Sequence, residues 1–196
     1  MLKTILKAAF VLALALGGGI FSVHFILDRF NGFGELQVGA WTAFPDDGTA
    51  NADPYSRARA ARKAYLALGA AEGLAFFARR DSSGRDLQRG CTYRLTGATP
   101  PARFWTIYPA KPNLSPIKPR DSLQAALHSR EVLYESDGSV SITIGPDARP
   151  GNWLPVEGRG GLVLVMTLYD TPAASSSGLS DLVMPVLVRT GDDCHG

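Results

Sequence analysis

The chain has 196 residues, 45% hydrophobic and 19% charged, with 20 Lys+Arg against 18 Asp+Glu. That length suits one domain, or one domain plus an anchor, and the composition is too apolar for a chain disordered throughout. A net charge of +2 and two cysteines exclude a strongly basic nucleic-acid binder, a disulfide-dense scaffold and a four-cysteine zinc site.

The apolar residues are concentrated at one end. Ala8 to Leu27 contains no acidic or basic side chain other than His24. As a helix these 20 residues span about 30 Å, the thickness of a bilayer core. Lys3 and Lys7 precede the run, while Asp28 and Arg29 follow it. The positive flank predicts a single-pass inner-membrane anchor over 8–27, with 1–7 in the cytoplasm and 30–196 exported to the periplasm. A cleaved signal peptide is the competing reading, with Ala15-Leu16-Gly17 as its processing site, although the apolar run continues past Gly17. Small residues such as Gly17, Gly18 and Gly19 are common in membrane spans and need no packing role. Three basic residues and one acidic residue fall within 1–29, so the remainder is formally neutral. Neither nucleic acid nor anionic lipid is expected as a partner of that part.

Beyond the anchor, Gly34 to Trp41 alternates and predicts a strand. Asp46 to Ala52 is turn-rich, and Asp53-Pro54 opens a helix with Asp53 as cap and Pro54 in the first turn. The spacing predicts that helix to about Leu68, with Ala58, Ala61, Tyr65 and Leu68 on one face. Strands are predicted at Leu74–Arg79, Cys91–Thr96 and Arg103–Tyr108. Lys111 to Pro119, with three prolines, reads as an irregular loop, and Asp121 to His128 as a short helix capped by Asp121. Glu131–Glu135 and Ser139–Ile144 flank Asp137-Gly138, a hairpin signal. Leu162–Tyr169 and Leu182–Arg189 are almost wholly apolar and read as central strands, separated by a Ser/Ala-rich loop, Thr171–Ser180. Many short strands with Gly/Pro turns and one solid helix predict a mainly β chain, folded as a β-sandwich of jelly-roll type.

Five strings occur in order: Asp53 to Arg62, Cys91 to Leu95, Pro101 to Trp105, Pro150 to Pro155, and Leu168 to Pro172. Together they resemble a bacterial family called domain of unknown function 1214, over roughly residues 50–190. The resemblance implies an all-β sandwich and no established reaction. Its members often occur fused to, or encoded beside, a companion called domain of unknown function 1254. This chain is too short to hold that companion, so a separate protein carrying it is the expected partner.

Catalytic motifs are scarce. There is no G-x-S-x-G string, P-loop, G-x-G-x-x-G or H-E-x-x-H, and the part after the anchor has only His128 and His195 as bases for a hydrolase. No cofactor is expected. Cys91 and Cys194 predict one disulfide in an oxidising compartment. The sharper alternative is a metal site from Cys91, Asp192, Asp193, Cys194 and His195, which neighbouring side chains cannot all reach. Carbohydrate chemistry by paired carboxylates is the remaining enzyme reading, with Glu72, Asp81, Glu131, Glu135 and Asp170 as candidates by type.

Arginines and aromatics near strand ends are better candidates for a binding face. Arg103, Trp105 and Tyr108 are expected to line one face of a strand, and Asn152 and Trp153 to sit in a Pro-Gly loop, although Trp105 and Trp153 suit a core equally well. Arg57 pairs with Asp53 or Asp170 on this reading, and Asp170 also suits a turn before Thr171-Pro172. The functional expectation is therefore an anchored envelope protein that works by binding its companion protein or a glycan.

Overall fold

The computed structural model describes residues 2–29, 33–63, 67–119, 123–174, 182–191 and 194. Helix α1 (Leu2–Arg29) contains a stretch, Leu2–Ile26, long and apolar enough to cross a membrane, and none of it is buried against the rest of the chain.

The remainder is a two-sheet β-sandwich. Its strands are β1 (Leu36–Val38), β2 (Trp41–Ala43), β3 (Gly73–Ala78), β4 (Tyr93–Gly97), β5 (Phe104–Ala110), β6 (Leu127–His128), β7 (Val140–Gly145), β8 (Asn152–Pro155), β9 (Val163–Tyr169) and β10 (Val186–Arg189). Six strands form one sheet in the order β1-β2-β3-β9-β5-β6, and four form the other in the order β10-β4-β7-β8. The inner faces meet in one core. Phe76, Trp105, Ile107, Leu164, Met166 and Leu168 come from the larger sheet, and Tyr93, Leu95, Ile142, Ile144, Leu154 and Leu187 from the smaller. The sheets are also joined by a polar contact, in which the buried Trp41 indole donates to the Pro185 carbonyl at 2.8 Å.

Several elements depart from the sequence reading. Gly34–Trp41 is not one strand: Gly39, at φ 60°, turns the chain, so that β1 and β2 form a hairpin with Val38 opposite Trp41. Asp53 does cap helix α2 (Pro54–Lys63), accepting the amides of Tyr55 and Ser56 at 2.9 and 3.1 Å. The expected apolar face is not buried, however. Ala58 and Ala61 are exposed, Ser56 is buried instead, Leu68 lies past the helix, and Tyr65 is outside the described residues.

The predicted helix at 121–128 gives way to β6, because Leu127 and His128 pair with Ile107 and Thr106, and Leu127 enters the core. Asp121 is outside the described residues. Upstream of the Asp137-Gly138 turn, the expected strand is reduced to a bridge between Tyr134 and Val140, since residues 129–131 turn back on His128. Asn152–Pro155, expected in a loop, is an edge strand with Pro155 at its end. Of the two strands expected at the centre, β9 is central but β10 is an edge, with Val186 and Val188 exposed. Ser82 covers that edge: its amide donates to the Leu187 carbonyl, and its hydroxyl accepts the Leu187 amide. In the Ser/Ala-rich loop, Pro172–Ala174 makes one 3₁₀ turn, and 175–180 lie outside the described residues.

Cys91 and Cys194 form a disulfide across a sequence separation of 103 residues. Among the described residues, no group of three or more His, Cys, Asp or Glu side chains is placed to hold a metal ion. The alternative ligands Asp192, Asp193 and His195 fall outside those residues.

Two stability predictions follow from these ties. Closing a loop of about 100 residues restricts the unfolded chain by up to about 4.7 kcal/mol in the entropic account. The Cys91→Ser/Cys194→Ser variant is expected to lose about 2–5 kcal/mol, read as a lower denaturant midpoint, and reductant is expected to bring the native protein to the same value.

Asp81, 2% exposed, accepts the amides of Ser83 and Arg85 and the Arg85 guanidinium at 2.9–3.0 Å. Burial works against its charge, but the Arg85 and Ser83 donors outweigh it and hold the carboxyl below its ordinary value of 3.8. A depressed folded-state pKa contributes stability above the unfolded value, which is lost as pH falls through the folded one. Asp81→Asn is expected to cost about 1–3 kcal/mol at neutral pH and to flatten the acid limb of the stability curve below about pH 4, measured by urea unfolding at stepped pH.

Candidate functional site

Strand β5 decides which of its side chains meet solvent. Trp105 and Ile107 point into the sandwich, and Trp105 is only 2% exposed. Trp105 is therefore a core residue, and the expectation that it lines a binding face is corrected. Phe104, Thr106 and Tyr108 alternate with it and point outward. Register places Phe104 beside Tyr169, Thr106 between Thr167 and His128, and Tyr108 beside Val165.

An aromatic face results on the outside of the six-stranded sheet. The Phe104 ring centroid lies 5.9 Å from that of Tyr169 and 5.4 Å from that of His128, and the Arg130 guanidinium sits 5.9 Å from the Phe104 centroid. These are tilted-ring and cation–π distances. Phe104, His128 and Tyr169 remain partly exposed. Further along, Tyr108 and Phe77 pack over Val163 and Val165. Burial, then the neighbouring Tyr169, pushes the Tyr108 phenol above its usual pKa.

The rim of this face is charged. Arg103 pairs with Asp170 at 3.7 Å, with both side chains well exposed, so the pair contributes little stability. Asp170 also serves the turn, at φ 49° with its amide donating to the Glu72 carbonyl. His128 Nε2 lies 3.1 Å from Glu131 Oε2, and its Nδ1 accepts the Arg130 amide.

The outside of the four-stranded sheet is different in character. It carries an open groove of about 940 Å³. Arg94, Ser141 and Thr143, on β4 and β7, form its floor. One wall is the 133–135 segment with Tyr134 and Glu135, and another is the loop holding Asp147 and Arg149. Thr92 and Thr190 close one end, tied by the Thr190 amide donating to the Thr92 carbonyl at 2.9 Å. The second wall follows from topology. β8 runs parallel to β7, with Asn152 opposite Ile142, so the chain after Gly145 must travel back along β7 before pairing. Asn152 lines the groove but is fully occupied in holding it. Its side chain accepts the Leu133 amide at 2.7 Å and donates to the carbonyls of Leu133 and Ser141.

The residues singled out from sequence are thus divided. Arg103, Tyr108 and Asp170 share the aromatic face, while Asn152 and Trp153 belong to the other sheet. Trp153 is partly buried in register with Thr143, its indole donating to the Gly145 carbonyl. Arg57 stands apart on α2, donating to the Ala50 carbonyl. Among the candidate carboxylates, Asp81 is sealed in its turn, Glu72 accepts the Gly69 amide, and Glu131 and Asp170 face His128 and Arg103. Glu135 alone of the five lines the groove, together with Asp147, which sequence reasoning did not name. Among the described residues, burial pushes the Asp47 carboxyl upward, partly offset by Ser56 and Arg59. It borders a recess of about 20 Å³, room for about one water.

Sequence reasoning missed Phe104, Tyr169 and Arg130 on one side, and Arg94, Tyr134 and Arg149 on the other. Parity along β5 was the signal available for Phe104: even positions face out and odd positions face in. Nothing comparable marks Arg149, which is brought to the groove by a returning loop.

The fold is shared with a solved structure. The VPA0106 protein from Vibrio parahaemolyticus superposes at a TM-score of 0.59 and 18% identity, over 89% of this chain and 43% of its own. This chain thus spans less than half the length of that protein. An uncharacterised protein from Burkholderia cenocepacia matches at a TM-score of 0.42 and 19% identity, over 74% and 45% of the two chains. No curated protein matches. The model of a family described as protein of unknown function, DUF1214, matches residues 72–173, from the start of β3 to the turn after β9. That match spans just over half of the chain, and the chain belongs to the family of domain of unknown function 1214.

Proposed function

We propose that this protein is a membrane-anchored envelope protein whose sandwich works by binding a companion protein. The anchor is α1, held in the inner membrane with Lys3 and Lys7 in the cytoplasm and the sandwich in the periplasm. The Cys91–Cys194 disulfide supports export, because such bonds persist in oxidising compartments.

The observation that carries the binding reading is the partly exposed ring cluster of Phe104, Tyr169 and His128 under Arg130. Tyr, Phe and Arg are enriched at the centres of protein interfaces, where they bring large contact area with few rotors to fix. Arg103 and Asp170 supply the polar rim. The proposed partner is a separately encoded protein of the domain of unknown function 1254 type. The Vibrio structure supports this reading, because the fold shared with this chain occupies less than half of that one.

Two measurements test this. Full-length protein in detergent is expected to bind a purified companion from the same organism. The Arg130→Ala/Tyr169→Ala variant is expected to weaken that binding tenfold or more while keeping the native thermal midpoint within a few degrees. Equal binding by the variant, or none by the native protein, overturns the partner assignment. For topology, a reporter that matures only outside the cytoplasm, fused after Gly196, is expected to be active; activity confined to a cytoplasmic reporter overturns the orientation.

A further inference from the structure

We infer that the groove on the four-stranded sheet is a separate site, which binds an oligosaccharide stacked on Tyr134. It lies on the opposite sheet from the aromatic face and does not depend on the companion reading.

Tyr134 is the central feature. Its side chain is 45% exposed, yet its phenol is not free to wander, because it donates to the Ser129 carbonyl at 3.0 Å. The segment carrying it is held at Leu133, whose amide and carbonyl both bond the Asn152 side chain at 2.7 Å. An exposed ring fixed at its hydroxyl and at its backbone is a preorganised apolar plate. Sugar rings present flat C–H faces that cover such a plate, and the ring has already lost the rotamer freedom that binding would otherwise remove.

The rest of the groove has the complementary chemistry. Arg94 and Arg149 carry donors, while Glu135 and Asp147 carry acceptors. The hydroxyls of Ser141 and Thr143 on the floor can do either. A ligand whose own groups both donate and accept uses this mixture, and that describes a sugar hydroxyl. A polyphosphate would meet two carboxylates, and an aliphatic ligand would strip water from charged groups without replacing it. The groove is open and about 940 Å³ in volume, which suits part of a longer chain running through it better than an enclosed small molecule.

The test uses full-length protein in detergent and three soluble probes: the tetramers of N-acetylglucosamine, glucose and galacturonate. Binding is read by saturation-transfer NMR and titration calorimetry. At least one probe is expected to bind, with transfer strongest to ring C–H protons. Tyr134→Ala is expected to weaken it tenfold or more. Tyr134→Phe, which keeps the plate and loses the tether to Ser129, is expected to weaken it a few-fold. Thermal midpoints should be unchanged in both variants, because Tyr134 lies outside the core. Failure of all three probes to bind, or equal affinity in the native and Tyr134→Ala proteins, overturns the site. A native protein that binds a sugar probe through Tyr134 but binds no companion counts against the aromatic face alone.

Discussion

Strand β9 has to be covered on both of its faces. Leu164, Met166 and Leu168 point one way, and Val163, Val165 and Thr167 the other, and all six are buried. Of its seven residues only Tyr169, at the end, is partly exposed, so the strand takes the middle of a sheet, hydrogen-bonded to β3 along one side and β5 along the other. Its inner side calls for a second sheet, which the β10-β4-β7-β8 sheet supplies. Its outer side calls for a lid, which Phe77, Tyr108 and Leu114 provide over Val163 and Val165. The aromatic character of the outer face is thus partly a consequence of shielding β9. Only toward the Tyr169 end, where Phe104, His128 and Arg130 gather, does it extend beyond what the strand itself needs.

The two faces of the sandwich are made by different devices. The aromatic face is written by alternation: three neighbouring strands present every second residue, and antiparallel register lines those residues up. The groove is written by connection. A parallel β7–β8 pair joined by a short segment obliges that segment to run back across the sheet, carrying Asp147 and Arg149 with it. Asn152 and the tie between Thr190 and Thr92 then hold its boundaries. The disulfide lies next to that tie in sequence, with Cys91 beside Thr92. The linkage that stabilises the fold therefore also borders the groove.

Local signals in the sequence were reliable where the interaction is local. The Asp53 cap, the Asp137-Gly138 turn and the polar Asp81–Gly84 turn depend on side chains reaching amides two to four residues away, and all three form. The long apolar stretch of α1 is equally local, and it forms a helix of sufficient length to span a bilayer. The Cys91–Cys194 bond is long-range but followed from counting, because two cysteines admit one intramolecular pair.

The sequence by itself determined a mainly β domain, the Asp53 cap, the turns at Asp81 and Asp137, its disulfide, and the apolar segment at its start. Each of these depends on composition or on neighbours within a few residues. Only the tertiary structure decided that Trp105 is core while Phe104 is surface, that β10 is an edge, that Leu127 belongs to a strand, and that Glu135 and Asp147 share one groove. These are questions of which distant segment lies alongside which. Propensity does not encode strand partnership, because the hydrogen bonds and buried area that reward a particular pairing exist only once both partners are in place.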